Sequence, residues 1–301
     1  MDIALLYGTV VLIWGTTWFA IELQLGPVAE ELSVAYRFGL GSLGLFAFAR
    51  ITNTDLRVRL ADYPIVMIMG VLLFSGAYLC VYYGTGYLAS GLVAVLFSLI
   101  IICNAILERF FFGTPIDARL GLAALTGIVG TALVFGPELG GMHPDPGIVA
   151  GIAWTLASIL IASFGNMAAI SATSRGLPVA TVNAHAMAWG SLASLAVALA
   201  LDRPLNFSMT PAYVSSLLFL AIFGSAVAFG CYLALLKRIG SARASYSSVL
   251  YPVVALLVSS LFEGYRWTVP ALAGLLLILA GNWLALTRAR TARITTEQER
   301  E

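Results

Sequence analysis

Charge is what this sequence has least of. Of its 301 residues only 10% are Asp, Glu, Lys or Arg, and 60% are hydrophobic. Soluble domains carry roughly 25% charge, so the deficit excludes a solvated globular surface and points to an all-α integral membrane protein. Lysine occurs once, as Lys237 in a loop, so no buried Schiff base is available. The two histidines, His143 and His185, are remote from each other, so no HExxH zinc motif exists. There is no Gly-x-Ser-x-Gly elbow, no phosphate-cradling loop and no mid-membrane aspartate pair. Catalysis, a metal and a cofactor are therefore not expected. The three cysteines, Cys80, Cys103 and Cys231, fall inside apolar stretches and give no disulfide framework; they read as small buried hydrophobes. A net charge of +1 excludes a nucleic-acid footprint.

What is present is apolar length. A membrane span needs about 20 apolar residues. Segments near 3–21, 32–49, 63–83, 87–107, 120–136, 147–170, 180–201, 211–235, 244–262 and 268–287 qualify, which predicts ten transmembrane helices. The first begins MDIALLYG, without a basic stretch or a small-residue cleavage site, and reads as a retained helix. Arginines mark one side. Residues Arg50, Arg57, Arg59, Arg109, Arg119, Arg175, Lys237, Arg238 and Arg243 and the basic tail alternate with loops that hold only Arg203 and Arg266. The positive-inside rule then puts both termini in the cytoplasm.

The chain repeats itself. Ile68, Gly70, Gly76, Tyr78, Leu79, Gly86, Val95, Leu96 and Leu107 each find an identical residue 154 positions on, from Ile222 to Leu261; Glu108 finds Glu263 one residue later. Identity at one register, glycines and a tyrosine included, indicates duplication. Each copy holds five spans, an odd number, so the second must enter the membrane inverted relative to the first. The predicted organisation is a five-helix repeat over 1–138, a Gly/Pro-rich linker over 139–146, a second five-helix repeat over 147–288, and a polar tail over 289–301 expected to be disordered. Loops this short leave no room for a partner domain, and ten fused spans can close as a monomer.

Candidate site residues follow from what lies at membrane depth. No Asp, Glu, Lys or Arg is expected mid-span, so the usual carboxylate for ion coupling is missing and His185 stands alone. It either binds protons or substrate, or is a histidine satisfied by a neighbouring carbonyl. Arg37 is placed near the outer end of the second span, there to pair with Glu22, Glu30 or Glu31 or to snorkel, with contact to an anionic group of an outgoing substrate as the remaining alternative. On the third span Phe74, Tyr78 and Tyr82 recur every four residues with Ser75 beside them, and residues at that spacing share a face. Tyr78 has a repeat mate in Tyr232. Rings with hydroxyls can stack on and orient a substrate. Trp18, Trp154, Asn166 and Tyr246 complete the predicted substrate-binding set. Pro252 interrupts the ninth span and is a candidate gate hinge.

The WGTTW of the first span, Arg37 in the second, and LYPVVALLVSSLFEG at 250–264 followed by LAGLLLILAGNWLAL at 272–286 resemble the drug/metabolite transporter superfamily, with halves similar to EamA-type repeats. The first copy departs from that pattern: Phe97-Ser98 replaces an aromatic-proline pair. The resemblance implies a ten-helix exporter of small metabolites in the plasma membrane, the inner membrane of a bacterium, with amino-acid exporters, aromatic ones included, as the nearest likeness. The expected function is alternating-access export of neutral or zwitterionic metabolites; the expected partners are that small-molecule substrate and the lipid bilayer. The alternatives are multidrug or other metabolite efflux and, in a different class, a non-transporting scaffold or receptor.

Overall fold

The computed structural model describes residues 2–115, 118–139, 145–228, 231–232, 234–235, 238 and 247–298. All secondary structure among them is helical. Six helices are long and apolar enough to cross a membrane. They are α1 (Ile3–Glu22), α2 (Glu30–Ile51), α3 (Leu60–Thr85), α4 (Ser90–Phe112), α6 (Pro146–Ser174) and α7 (Val179–Ala200). Between and after them lie α5 (Ala118–Leu139), α8 (Pro211–Leu218, running on through Phe219–Val227), α9 (Ser247–Phe262) and α10 (Val269–Gln298). The expected linker and tail fare differently. Residues 140–144, with His143, lie outside the described residues. The tail does not end the helix: α10 continues to Gln298, since TRARTARITTEQ contains no helix breaker.

The surface is apolar and the interior partly polar. Leu43 is 66% exposed and Ile128 63%, while Thr155, Ser158 and Ser194 are fully buried. Water would invert that arrangement; a hydrocarbon solvent accepts it, because helices satisfy their own backbone and small hydroxyls bond inward. Ser158 Oγ donates to the Ala77 carbonyl at 2.7 Å, tying α6 to α3.

Small residues set how closely helices approach. α5 and α10 pack together along their length. A Cβ added to Gly274 would stand 2.4 Å from the Gly130 carbonyl oxygen, and one added to Gly281 would stand 2.9 Å from the Ala123 carbonyl oxygen. Only glycine allows backbones that near. α2 and α7 are joined by two reciprocal bonds. Ser42 Oγ donates to the Ala184 carbonyl at 2.8 Å, and Ser191 Oγ donates to the Ala35 carbonyl at 2.7 Å. Ser42 and Ser191 are 149 positions apart, and so are Ala35 and Ala184. Other contacts echo one another: α1 touches α8 and α9, while α6 touches α3 and α4.

α4 is divided. Its first half, Ser90–Phe97, is buried against α9; after a turn at Ser98–Leu99, the half Ile100–Phe112 has no buried residue and packs on α6. α4 and α9 thus meet at one membrane face and part toward the other. α3 and α8 are also irregular. Each contains a π-helical stretch, Leu72–Gly76 and Phe219–Val227 respectively, a local widening that frees backbone groups and often marks functional sites.

Candidate functional site

The two π-helical stretches face a central cavity of about 370 Å³. Eight helices supply its walls. Trp14 and Trp18 come from α1, Arg37 and Phe38 from α2, Phe74 and Tyr78 from α3, Phe97 from α4, Ser158 and Asn166 from α6, Met187 from α7, Ser225 from α8 and Tyr251 from α9. Among the described residues, α5 and α10 contribute nothing to it. Most of the lining is aromatic or aliphatic, with a few polar groups set into it, the usual composition of a small-molecule site. Trp14 Nε1 donates to the Gly224 carbonyl in the α8 π stretch at 2.9 Å, and its ring meets Tyr251 edge-on at 5.6 Å.

Arg37 is the charged group among the described lining residues. It sits seven residues into α2, about 10 Å below the helix start at 1.5 Å per residue, and is only 4% exposed. Its guanidinium carbon lies 4.6 Å from the Tyr78 ring centroid and 5.1 Å from that of Phe38. These two rings meet edge-on at 4.6 Å. Nε and Nη1 are buried without a hydrogen-bond partner among the described residues. The Tyr82 hydroxyl is near enough to interact with the guanidinium. The sequence expectation that Arg37 would pair with Glu22, Glu30 or Glu31 at the surface is corrected. Glu31 is engaged elsewhere, accepting from the Tyr83 hydroxyl at 2.5 Å and from Arg203 Nε and Nη2 at 3.3 Å. Arg203 lies in the α7–α8 loop, and the Glu31 carboxylate beside it pushes the guanidinium still higher than its ordinary range.

One end of the cavity is sealed. Tyr82 is fully buried and donates to Gln24 Oε1 at 2.5 Å. Beyond it, the end of α9 caps the start of α4. Glu263 accepts from the Ser90 amide at 3.1 and 3.3 Å, the Gly91 amide donates to Ser259 Oγ at 2.8 Å, and Ser259 donates to Glu263. A carboxylate at a helix start is favourable for the unpaired amides there. Glu263, the repeat mate of Glu108, thus bonds across the two halves of the chain. At the other end the cavity adjoins a second one of about 340 Å³. The two share Leu73, Phe74, Tyr78 and Asn166, and the second reaches Thr173, Val179 and Asn183, where α6 ends and α7 begins. That is the face carrying Arg59, Asp62 and Arg175, which form ion pairs at 2.7 and 3.0 Å.

The predicted site residues divide accordingly. Trp18, Tyr78 and Asn166 line the cavity; Asn166 also donates to Asn104 Oδ1 at 3.3 Å. Ser75 is buried one wall back and accepts from Ser194 Oγ at 2.8 Å. Tyr82 belongs to the seal, one helical turn beyond Tyr78. Trp154 is 40% exposed and meets the Tyr83 ring at 5.0 Å in an open groove on the sealed face, with Tyr87 and Arg203. Tyr232 stacks obliquely on the back of Trp14 at 5.3 Å and does not itself line the cavity. Tyr246 lies outside the described residues. Pro252 is buried in α9 beside the cavity residue Tyr251. His185 is placed away from the cavity: Nε2 is 3.0 Å from the Leu56 carbonyl of the α2–α3 loop, with Phe46 and Tyr63 edge-on around the ring. The loop folds in far enough to satisfy a histidine that sequence alone puts in the membrane. Sequence reasoning placed Arg37 near the outer surface rather than in the cavity wall, and missed Tyr251.

Comparisons with known proteins agree with this architecture. The model of the EamA-like transporter family matches the chain twice, over residues 3–136 and 149–287. A Bacillus subtilis protein named uncharacterized transporter YoaV is 23% identical, over 92% of this chain and 94% of its own. Protein PagO of Salmonella typhimurium is 22% identical, over 98% of this chain and 96% of its own. A solved crystal structure superposes with a TM-score of 0.68 at 20% identity, covering 96% of this chain and 98% of the other, which is a likeness of fold.

Proposed function

The chain belongs to the EamA-like transporter family, and we propose that it exports small neutral or zwitterionic metabolites, amino acids with aromatic or bulky apolar side chains among them, by alternating access. The observation that carries this is the central cavity, closed at one face by the Gln24–Tyr82 and Ser90–Glu263 contacts and confluent toward the arginine-rich face with a second cavity. With arginine-rich loops cytoplasmic, this is a state that receives substrate from inside the cell. Its aromatic walls favour a ring-bearing or bulky apolar substrate, and the absence of any acidic group from the described lining disfavours cationic drugs.

Two halves inserted in opposite senses supply the moving parts. Support comes from the reciprocal Ser42–Ala184 and Ser191–Ala35 bonds. Exchanging the two halves converts one bond into the other, and the pairing runs antiparallel, as it must if equivalent helices are related by an axis in the membrane plane. The two-part family match is in keeping with the same duplication. The test is counterflow of labelled phenylalanine in proteoliposomes. Exchange without an imposed pH gradient is expected, since His185 is held by a loop carbonyl away from the cavity. Flux that requires the gradient would overturn the facilitator reading, and absence of counterflow for any amino acid would overturn the substrate class.

A further inference from the structure

The cavity contains a buried charge with no ion-pair partner among the described residues. Arg37 is 4% exposed, lines the cavity, and has Nε and Nη1 buried without a hydrogen-bond partner among the described residues. Beside it stand two ring faces, Phe38 and Tyr78, and the Tyr82 hydroxyl. A cation over an aromatic face gains too little to replace the hydration that a buried guanidinium gives up. The described lining holds hydroxyls, indoles and an amide, and no Asp or Glu. Two other buried charges, Asp62 and Glu31, have cationic partners: Asp62 has Arg59 and Arg175, and Glu31 has Arg203, with the Tyr83 hydroxyl beside it. Arg37 differs from them in facing a cavity of about 370 Å³.

We propose that Arg37 is the receptor for a carboxylate carried by the substrate, and that the cavity recognises an aromatic or bulky apolar carboxylate without requiring an amino group. This rests on the export reading above and narrows it. A guanidinium forms charge-assisted N–H bonds to a carboxylate, and Nε and Nη1, which lie on different edges of the group, are each open to one such bond. The ring or alkyl part of the cargo then lies against Trp14, Trp18 and Phe97. An ammonium finds only neutral acceptors here, Asn166 and Ser158 among them. Neutral acceptors give an ammonium less than a carboxylate partner does, so the amino group contributes little to recognition. A hydroxy, keto or plain carboxylic acid of the same shape is cargo as much as the amino acid, and the corresponding amine is not.

Three probes separate these features: phenylalanine, 3-phenylpropionate, which lacks the amino group, and phenethylamine, which lacks the carboxylate. Trp14 and Trp18 line the cavity, so binding to the purified full chain in nanodiscs can be read from intrinsic fluorescence and confirmed by equilibrium dialysis. The expected order is 3-phenylpropionate binding within a few-fold of phenylalanine or tighter, with phenethylamine about 10- to 100-fold weaker, the range of a charge-assisted hydrogen-bonded pair. Arg37→Gln should weaken both carboxylates by a similar factor, and Arg37→Lys should recover part of it as a point charge. Phenethylamine binding as tightly as 3-phenylpropionate, or a folded Arg37→Gln protein that keeps carboxylate binding, overturns the proposal. If Arg37→Gln does not fold, the three-ligand order on the unaltered protein decides alone. Phenylalanine counterflow on the same preparation tells the two readings apart: flux with the wrong ligand order removes the carboxylate receptor and leaves the exporter. Absence of binding by either carboxylate removes the receptor whatever the flux.

Discussion

Gly91 is the point at which the sealed face can be wedged. It is the second residue of α4, and its amide donates to Ser259 Oγ across the seal. A Cβ at this position would stand 2.8 Å from Ser259 Oγ, 2.9 Å from Leu256 Cα and 3.0 Å from the Ala255 carbonyl oxygen. Two of these are backbone atoms of α9 and cannot turn aside, so in Gly91→Ala α4 and α9 must part. Overpacking of this kind costs about 1–3 kcal/mol. Alanine also favours the helix over glycine by up to about 1 kcal/mol. That gain applies whether the seal is shut or open, so it cancels in the equilibrium between the two. Taking about 2 kcal/mol, the ratio of sealed to unsealed protein falls about 30-fold, for instance from about 99:1 to about 3:1. Spin labels at Tyr87→Cys and Phe262→Cys, both exposed on this face, report the separation once Cys80, Cys103 and Cys231 are replaced by serine. Gly91→Ala should add a second, longer distance that the parent lacks. Gly121→Ala, with nothing within 4 Å of the added carbon, should not. A distance distribution for Gly91→Ala that overlays the parent would refute both the wedge and the assignment of this contact as the closed gate.

Three further outcomes follow from the geometry. Gly274→Ala and Gly281→Ala should each lower the unfolding temperature in detergent by an amount equivalent to about 1–3 kcal/mol, because the added carbon meets carbonyl oxygens of α5; an unshifted melt would speak against the close α5–α10 approach. Tyr78→Ala should cut phenylalanine counterflow about tenfold or more without altering the melt, while Tyr78→Phe keeps the ring beneath Arg37 and most of the flux; equal flux in parent and Tyr78→Ala would take this residue out of the site. His185→Ala should leave the pH profile of flux between pH 5.5 and 8 unchanged and lower stability by about 1 kcal/mol for the lost bond to Leu56; a flattened profile would give the histidine a part in coupling.

The positions of the apolar helices were readable in the sequence because a membrane span is a matter of apolar length, and each described helix overlaps one of the stretches that length picks out. Depth and direction were not readable in the same way. In a soluble helix the apolar stripe says which face points inward; in α2 both lipid and interior accept Leu, Phe and Gly, so nothing local tells Arg37 from a snorkelling arginine. The assignment also depended on where the helix starts. α2 begins at Glu30 with two acidic residues in its first turn, and they bear the surface charge that Arg37 was expected to share. Spacing helped with Tyr78 and misled with Tyr82. Four residues do put both on one face, but they also separate them by about 6 Å along the axis, which here is the distance from the chamber wall to the seal. The π-helical stretches had no signature at all, since neither contains proline and the widening depends on α6, α7 and α1 packed alongside. Residues that close a path and residues that line it are therefore the same types at the same period. What distinguishes them is whether a partner across the chamber satisfies them: Gln24 answers Tyr82, and for the Nε and Nη1 of Arg37 the described residues offer no answer.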